Sequence, residues 1–434
     1  MTSRRFAPLF WCQFLSAFND NFVRQMLVML ILFRFGGADA GAKVTLAIGV
    51  FVLPSLFLSA LGGELADSHD KAIIARRLKF AELFVQLVAA AGFWLASLPT
   101  LYAALLGLGV ISALFGPIKY GILPDQLRRE ELVAGNALVE GATFAAILCG
   151  LIAGGFAAAQ GRAAWTVALQ LAVVGLACWG ASRFIARTGV GAPGLAVNPN
   201  PFASTREILR ELRRDDRQWV GGAAVSWFWL VGAVSLSLVP VVVKSRIGGG
   251  IEVETAINML FAVGIAVGSL LAAIFAHGRI QLAPAPYLLV AIGAVLIDLG
   301  VATGALPQTT IEIGLFAFFS RGAGLHLVAD VLALSALSGL FVVPVFAAVQ
   351  AWAGAERRAR VIGAVNTLNA AYMVAGSLAT SVLLKGAGLD ESSALAVLGV
   401  ATILAAAYLF RRLPKSPTAL APAAHSGAAQ SPEF

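Results

Sequence analysis

The sequence predicts an all-α membrane protein in which twelve transmembrane helices form two six-helix bundles. First, 59% of the 434 residues are hydrophobic and only 12% are charged, whereas a soluble domain of this size carries about 25% charged residues. Second, the mean hydropathy is +0.85. Third, long apolar runs recur between charged or Gly/Pro-rich clusters, and about 20 apolar residues suffice to cross a bilayer as a helix.

The predicted spans follow those runs in chain order. The first six cover residues 8–33, 42–66, 73–98, 101–127, 132–159 and 163–186. The second six cover residues 218–244, 253–276, 284–304, 322–352, 360–384 and 392–411. The predicted bundles are thus residues 1–186 and 218–412. A low-complexity tail, residues 413–434, is expected to be a disordered cytoplasmic segment.

The connection between the bundles, residues 187–217, is predicted to contain a short helix. It begins as a Gly/Pro/Asn-rich coil and continues as STREILRELRRDDRQW. Ser204 and Glu207 have the spacing of a capping box, which predicts the start of the helix. A narrow apolar stripe, from Ile208 to Leu212, predicts that the helix lies on the cytoplasmic surface. An ordinary amphipathic linker and a regulatory element both remain open.

Lys and Arg residues are unevenly distributed between the two sides that these spans define. Twelve spans put both termini on the same side of the membrane. The termini and the span connections on that side carry 22 of the 31 Lys and Arg residues, four of them between residues 67 and 79. The opposite side carries seven. The positive-inside rule therefore predicts that both termini are cytoplasmic. Topology thus explains the net charge of +8, and no nucleic acid partner is predicted.

The two halves of the chain resemble each other. VAGNALVEGATFAAILCG, which contains Asn136, follows a span with Pro117 and a basic turn. VIGAVNTLNAAYMVAGS, which contains Asn366, follows a span with Pro344 and a basic turn. A parallel repeat of this kind is typical of two bundles related by an axis along the membrane normal. Together with the twelve spans and the cytoplasmic termini, this repeat indicates the major facilitator architecture.

The first span contains the polar segment FNDNFVRQM. At 100° per residue, Gln13, Ser16, Asp20 and Arg24 form one stripe, with Asn21 at its margin. Because lipid cannot satisfy such groups, the stripe is predicted to face the bundle interior or a wet cavity. Asp20 and Arg24 are four residues apart and are expected to neutralise each other. They form either a structural ion pair or a pair that meets a charged substrate.

Lys119 is a second cation inside a predicted span. Pro117, Gly121 and Pro124 surround it and can interrupt helix hydrogen bonding, as at transporter binding sites. Alternatively, its long side chain snorkels to the cytoplasmic interface. Glu140, two turns into the next span, is the predicted counter-ion.

The segment GGELADSHDKAIIARR lies on the predicted turn between the second and third spans. It resembles the major facilitator signature, although HDK replaces the usual Gly-Arg/Lys. In that signature a carboxylate at a helix end can bind helix termini and Arg groups of a neighbouring span. The predicted conformational latch comprises Gly63, Asp67, Lys71, Arg76 and Arg77.

Glycine pairs with three residues between them occur in two spans. They are Gly150/Gly154 and Gly264/Gly268. Because small residues let neighbouring helices approach, these pairs predict close helix packing.

Catalytic and metal-binding motifs are absent from the sequence. It contains no His-Glu-x-x-His, Cys-x-x-Cys or Gly-x-Ser-x-Gly, and GGADAGAK lacks the Gly-Lys-Ser/Thr of a phosphate loop. The three cysteines lie inside predicted spans without metal-ligand spacing. Asp298 and Asp330, nearer the outer ends of their spans, are expected to be interfacial or gate residues. The sequence therefore predicts no enzyme, no cofactor and no metal site.

Several segments resemble the bacterial lysophospholipid transporters of the major facilitator superfamily. They are QFLSAFNDN, GPIKYGIL, LVAGNALVEGATFAAILCG and FVVPVFAAVQ. SWFWLVGAVSLSLVP and RVIGAVNTLNAAYMVAGS resemble the transporter module that some bacteria fuse to acyltransferase and acyl-carrier-protein ligase domains. The resemblance implies transport of lysophospholipids, such as lysophosphatidylethanolamine, from the outer to the inner leaflet of the bacterial inner membrane. A separate acyltransferase or acyl-carrier-protein ligase would then be a partner, because this chain carries neither enzyme.

The charged residues suit such a cargo. Arg24 and Lys119 are predicted to meet a head-group phosphate, and Asp20 and Glu140 to meet an ammonium. The predicted neutral contacts are Gln13, Asn21, Trp227, Asn366 and Asn369. Three alternatives remain. They are a major facilitator transporter of a drug or small soluble metabolite, a membrane scaffold that recruits acyltransferases, and a membrane enzyme, which the missing catalytic motifs disfavour.

Overall fold

The computed structural model describes residues 5–31, 40–128, 131–159, 164–277, 279–354 and 356–414. The predicted disordered tail lies almost wholly outside these residues. The first six helices are α1 (Ala7–Leu30), α2 (Ala40–Ser68), α3 (Lys71–Leu95), α4 (Leu98–Gln126), α5 (Leu132–Ala159) and α6 (Ala164–Arg183). The linker contains α7 (Pro201–Arg214). There follow α8 (Asp216–Val242) with a π-helical turn (Val243–Ile247), α9 (Ile251–Ala276), α10 (Ala285–Gly304), α11 (Leu315–Phe319), α12 (Gly322–Trp352), α13 (Arg358–Lys385) and α14 (Glu391–Arg412).

Twelve of these helices match the twelve predicted spans, so the all-α membrane fold is confirmed. Eleven of them are long and apolar enough to cross a membrane. The exception among the described segments is α1, because the polar segment FNDNFVRQ interrupts its apolar sequence. The other two helices are α7 in the linker and the five-residue α11.

The glycine pairs bring helices together within each bundle, as predicted. A Cβ on Gly150 would lie 2.5 Å from the carbonyl oxygen of Phe18 in α1, and Gly154 meets the next turn of α1. In the second bundle, Gly264 and Gly268 lie against the α12 backbone and side chains in the same way. Close approach of this kind increases van der Waals contact, which drives helix association in lipid.

The two bundles meet mainly through α2 against α13 and α5 against α9. A Cβ on Gly363 of α13 would lie 2.5 Å from the Ser59 carbonyl oxygen of α2. Within the first bundle, α4 continues as a helix through Pro117 and Pro124. The two prolines donate no backbone hydrogen bond, yet the chain around Lys119 remains helical.

The linker helix α7 exists as predicted, but it starts earlier than the capping box suggested. Asn200 is the N-cap, and its side-chain oxygen accepts hydrogen bonds from Phe202 N and Ala203 N at 3.0 and 3.2 Å. Pro201 suits the first helical position because that position needs no N–H donor. Ser204 instead donates to Glu64 Oε1 of α2 at 2.6 Å. We call the end of the molecule at which α7 packs the linker end, and the opposite end the far end.

Candidate functional site

The polar residues of α1 lie in the interior of the first bundle. Gln13, Ser16, Asn19, Asp20 and Asn21 are each at most 7% exposed. Gln13 Oε1 accepts a hydrogen bond from Thr143 of α5 at 3.0 Å. Asn19, which precedes Asp20 in α1, is also buried, and neither of its amide atoms has a hydrogen-bond partner among the described residues.

Asp20 and Arg24 do not form the predicted ion pair. Arg24 donates to the side-chain oxygen of Asn21, and its guanidinium lies 5.8 Å from the centre of the Phe51 ring of α2. Asn21 therefore provides the acceptor that Asp20 was expected to provide. The Asp20 carboxylate has neither a hydrogen bond nor an ion pair within 4.0 Å among the described residues.

A buried ion pair in α3 was missed from the sequence. Lys79 Nζ lies 2.6 Å from Glu82 Oε2, and both side chains are at most 2% exposed. Lys79 also donates to Ser16 at 2.6 Å, and Gln86 donates to Glu82 at 3.5 Å. The charge count placed Lys79 in a cytoplasmic connection, which is wrong because α3 begins at Lys71. The spacing of residues 79, 82 and 86 on one helical face was the available signal.

Lys119 lies within reach of several charges but pairs with none of them. Its half-buried side chain places the ammonium 4.6 Å from the centre of the Tyr120 ring. Glu140, the predicted counter-ion, instead accepts a hydrogen bond from the Tyr120 hydroxyl at 2.6 Å. Among described residues no carboxylate oxygen lies within 4.0 Å of the ammonium. Lys119 and Glu140 therefore interact only at longer range.

The second bundle provides neutral polar groups. Asn369 Oδ1 accepts from Ser226 at 2.8 Å, and Asn369 Nδ2 donates to Asn366 at 3.5 Å. Trp227 Nε1 donates to Thr402 of α14 at 3.2 Å. Sequence reasoning named the two asparagines and the tryptophan but missed the hydroxyl partners.

A polar path links the two bundles between α4 and α13. A Cβ on Gly116 would lie 2.8 Å from Asn366 Nδ2, so the amide of α13 packs directly on α4. Gly116 and Lys119 are three residues apart and share a face of α4. Lys119 therefore lies on the same face of α4 as the residue that Asn366 contacts.

The first-bundle residues and the second-bundle residues along this polar path differ in charge. Within the membrane helices, the described residues of the first-bundle site carry three cations and three carboxylates: Arg24, Lys79, Lys119, Asp20, Glu82 and Glu140. The second-bundle wall carries amides, hydroxyls and an indole. Since Lys119 and Asp20 have no ionic partner within 4.0 Å among the residues that the structure describes, the site can receive an anion at one and a cation at the other.

Asp67 joins the bundles at the linker end. Its two carboxylate oxygens accept from the backbone N–H groups of Ala359 and Arg360, each at 3.0 Å, and Arg360 Nε donates at 3.3 Å. Asp67 thus caps the N-terminus of α13, where a carboxylate is favoured by the helix dipole. Gly63 allows this approach, because a Cβ there would lie 2.6 Å from the Ala359 carbonyl oxygen.

Of the other three predicted latch residues, only Lys71 belongs to a contact that joins the two bundles. Lys71 Nζ lies 3.0 Å from Asp125 Oδ2, and Asp125 Oδ1 accepts from Arg358 of α13 at 2.8 Å. Arg76 instead donates to backbone carbonyls at the end of α6, within its own bundle. Arg77 is exposed and has no hydrogen bond or ion pair among the described residues. In this structure neither arginine bonds to a described residue of the second bundle, and their role in the latch stays a prediction.

An amide pair that the sequence did not predict also closes the linker end. Asn136 Nδ2 donates to Gln350 Oε1 at 3.1 Å, and Gln350 Nε2 donates to Asn136 Oδ1 at 2.7 Å. The pair is fully buried between α5 and α12. Beside it, the rings of Tyr120 and Phe346 pack edge-on at 4.6 Å. Between described residues, every side-chain hydrogen bond that joins the two bundles directly lies at the linker end, so the structure is closed there.

Comparison with known proteins supports the same architecture. A family model described as Major Facilitator Superfamily matches residues 9–330. The lysophospholipid transporter LplT of Serratia proteamaculans (strain 568) is 30% identical over 375 residues, covering 85% of this chain and 84% of the relative. LplT of Pectobacterium carotovorum subsp. carotovorum (strain PC1) is 29% identical over 375 residues, covering 85% and 82%.

Solved structures share the fold at low sequence identity. A bacterial homologue of the iron transporter ferroportin, in an outward-facing state, superposes with a TM-score of 0.71 at 17% identity over 94% of this chain and 99% of its own. The proton:xylose symporter XylE superposes with a TM-score of 0.66 at 13% identity over 96% and 97%. At these identities the likeness concerns the fold alone.

Proposed function

This chain belongs to the lysophospholipid transporter family of the major facilitator superfamily, and we propose that it moves lysophospholipids from the outer to the inner leaflet of the bacterial inner membrane. Lysophosphatidylethanolamine is the proposed representative cargo. A separate acyltransferase or acyl-carrier-protein ligase then reacylates the product. The relatives named above, which carry the name lysophospholipid transporter, support this cargo class.

The energetics of a single-chain lipid favour a path that never extracts the tail. Burial in hydrocarbon contributes roughly 0.8 kcal/mol per CH2, or about 12 kcal/mol for a 16-carbon chain. The tail therefore stays against apolar walls while the head group crosses. The barrier is the phosphate, with or without its ammonium, and this group needs a charged path.

The observation that carries the proposal is the pair of unsatisfied charges in the first bundle. The Lys119 ammonium has no carboxylate within 4.0 Å, and the Asp20 carboxylate has no bonding partner among the described residues. Leaving charges unpaired inside a membrane protein is costly unless a ligand or water meets them. We assign the phosphate to Lys119 with Arg24, and an ammonium to Asp20 with Glu140. The proposed neutral contacts are Gln13, Asn21, Trp227, Asn366 and Asn369.

The proposed direction comes from the resemblance to lysophospholipid transporters, and the closed linker end is compatible with it. The basic residues predict that this end is cytoplasmic, so closure at this end is compatible with loading of the head group from the outer leaflet. Rocking of the two bundles would then carry the head group inward. The latch at Asp67 would hold the starting state.

The test measures leaflet exchange of fluorescent lysophosphatidylethanolamine in liposomes that contain the purified protein. The variants are Asp20→Asn and Lys119→Ala. The matched controls are Asp216→Asn and Lys244→Ala, which remove the same charges at exposed positions outside the site.

We expect exchange by the parent and by both controls, and at least a tenfold loss in both site variants, which corresponds to about 1.4 kcal/mol of lost stabilisation. Exchange that survives both site variants would contradict the assigned head-group path. No exchange by the parent, with or without ion gradients, would favour a transporter of a drug or small soluble metabolite.

A further inference from the structure

A cluster of three metal-ligating side chains lies near the far end of the second bundle, away from the proposed lipid path. His326 Nε2 of α12 lies 2.8 Å from Asp298 Oδ2 of α10 and 3.6 Å from Asp330 Oδ2, one turn further along α12. One ligand atom from each of the three residues lies within 4.8 Å of the others. Imidazole and carboxylate groups thus converge from two helices on one point.

A cavity of about 230 Å³ adjoins the cluster between α10 and α12. His326 and Asp330 are part of its wall, together with Thr303, Leu306, Gly322 and Leu327. Asp330 is only 7% exposed, and its Oδ2 has no hydrogen-bond donor among the described residues. An unpartnered carboxylate oxygen therefore faces a space large enough for water or an ion.

A proton on His326 cannot satisfy both carboxylates. Nε2 carries at most one hydrogen, and the 2.8 Å contact directs that hydrogen to Asp298. The buried oxygen of Asp330, 3.6 Å away, is left without a donor in the described part of the chain. Leaving such a buried group unpaired is unfavourable. A cation placed among the three groups would contact all of them at once.

We propose that Asp298, His326 and Asp330 bind a divalent transition-metal ion of the Zn²⁺ class. One imidazole and two carboxylates suit such a borderline ion better than Mg²⁺ or Ca²⁺, which prefer all-oxygen sites. Tetrahedral ligands about 2.1 Å from Zn²⁺ lie about 3.4 Å apart. Small rotations of Asp298 and His326, which are about half exposed, achieve that spacing. Water from the cavity fills the fourth position, and the ion ties α10 to α12.

The experiment titrates untagged, detergent-solubilised full-length protein with Zn²⁺ by calorimetry and with Co²⁺ by visible absorption. We expect one ion per chain and the intense d–d band of tetrahedral Co²⁺. The ligand variants are His326→Gln, Asp298→Asn and Asp330→Asn. The matched control is His277→Asn, because His277 is an exposed histidine with a left-handed backbone (φ 46°), which Asn tolerates.

Each ligand variant is expected to weaken Zn²⁺ binding by more than the roughly 10–100-fold that removal of an outer-shell partner costs. Folding of each variant is checked by its elution profile in size-exclusion chromatography. Asp298→Asn is the variant least expected to disturb folding, because its side chain is more than half exposed. No binding by the parent, or binding that the ligand variants and His277→Asn leave equally strong, would overturn the proposal.

Discussion

Asp67→Asn is the most direct test of how the linker end is held shut. The substitution preserves the size of the side chain but removes its charge and one acceptor oxygen. Asp67 is fully buried, and all three of its side-chain hydrogen bonds go to α13 of the other bundle. These bonds exist only while the linker end is closed, so their loss acts on the equilibrium between closed and open states.

The magnitude follows from the number and type of these bonds. An asparagine oxygen can still accept from one backbone N–H, so the variant loses the ionic contact with Arg360 and one charge-assisted backbone bond. Breaking a buried charged interaction by removing one partner costs about 3–5 kcal/mol. At about 1.4 kcal/mol per tenfold change, the closed-to-open ratio falls by roughly two to four orders of magnitude. If the parent favours the closed state by about 100:1, the variant would populate the open state at least as much as the closed state.

Distances between spin labels at the linker end report the equilibrium. The labels replace Arg77 of α3 and Arg279, which follows α9, because both are exposed and lie in different bundles. Cys149, the one exposed free cysteine of the described residues, is first replaced by alanine. We expect a longer distance population in Asp67→Asn that the parent lacks.

The matched control is Asp390→Asn. Asp390 also caps a helix, accepting from Ser393 N at 3.0 Å, and also pairs with an arginine, Arg246. All of these groups belong to the second bundle, so this variant is expected to lower stability without changing the distances. An unchanged distance distribution in Asp67→Asn, with lowered thermal stability, would refute the latch.

Two further predictions concern packing and burial. Lys79→Met leaves the Glu82 carboxylate buried without its partner and is expected to lower the free energy of unfolding by about 3–5 kcal/mol. Thermal unfolding measures the loss, and adding Glu82→Gln should restore most of it. No restoration by the second substitution would contradict the pairing. Gly63→Ala places a Cβ 2.6 Å from the Ala359 carbonyl oxygen and should lengthen the same spin-label distance. Gly180→Ala, where a Cβ meets nothing within 4 Å, should leave it unchanged.

The positions of the membrane helices could be predicted because the length of an apolar run is read directly from consecutive residues. The first span was expected at residues 8–33 and is found as Ala7–Leu30, even though its polar residues lower its hydropathy. The start of α7 was missed because Asn200 followed by Pro201 competes with the capping box at Ser204. Asn200 satisfies two backbone N–H groups at once, which leaves Ser204 free to bond α2.

The partners of the charged residues were not predictable, because packing between helices decides them. Helical spacing correctly placed Asp20 and Arg24 on one face, yet Phe51 of α2 and the amide of Asn21 take the guanidinium. Likewise, the repeat singled out Asn136, but only the structure shows that it pairs with Gln350, 214 residues away.

The latch and the polar path are mechanically linked because they join the same two helices. Asp125 and Arg358 join α4 to α13 at the linker end, and Gly116 and Asn366 join them deeper in the molecule. Nine residues separate the two contacts on α4, which is about 13 Å at 1.5 Å per residue. Helices are stiff over that length, so a hinge motion that parts the linker end also lifts Asn366 from Gly116. Lys119, three residues beyond Gly116, then faces the newly opened end without moving within its own bundle. Under the proposed mechanism, access to the cation would thus alternate while its position in the first bundle stays fixed.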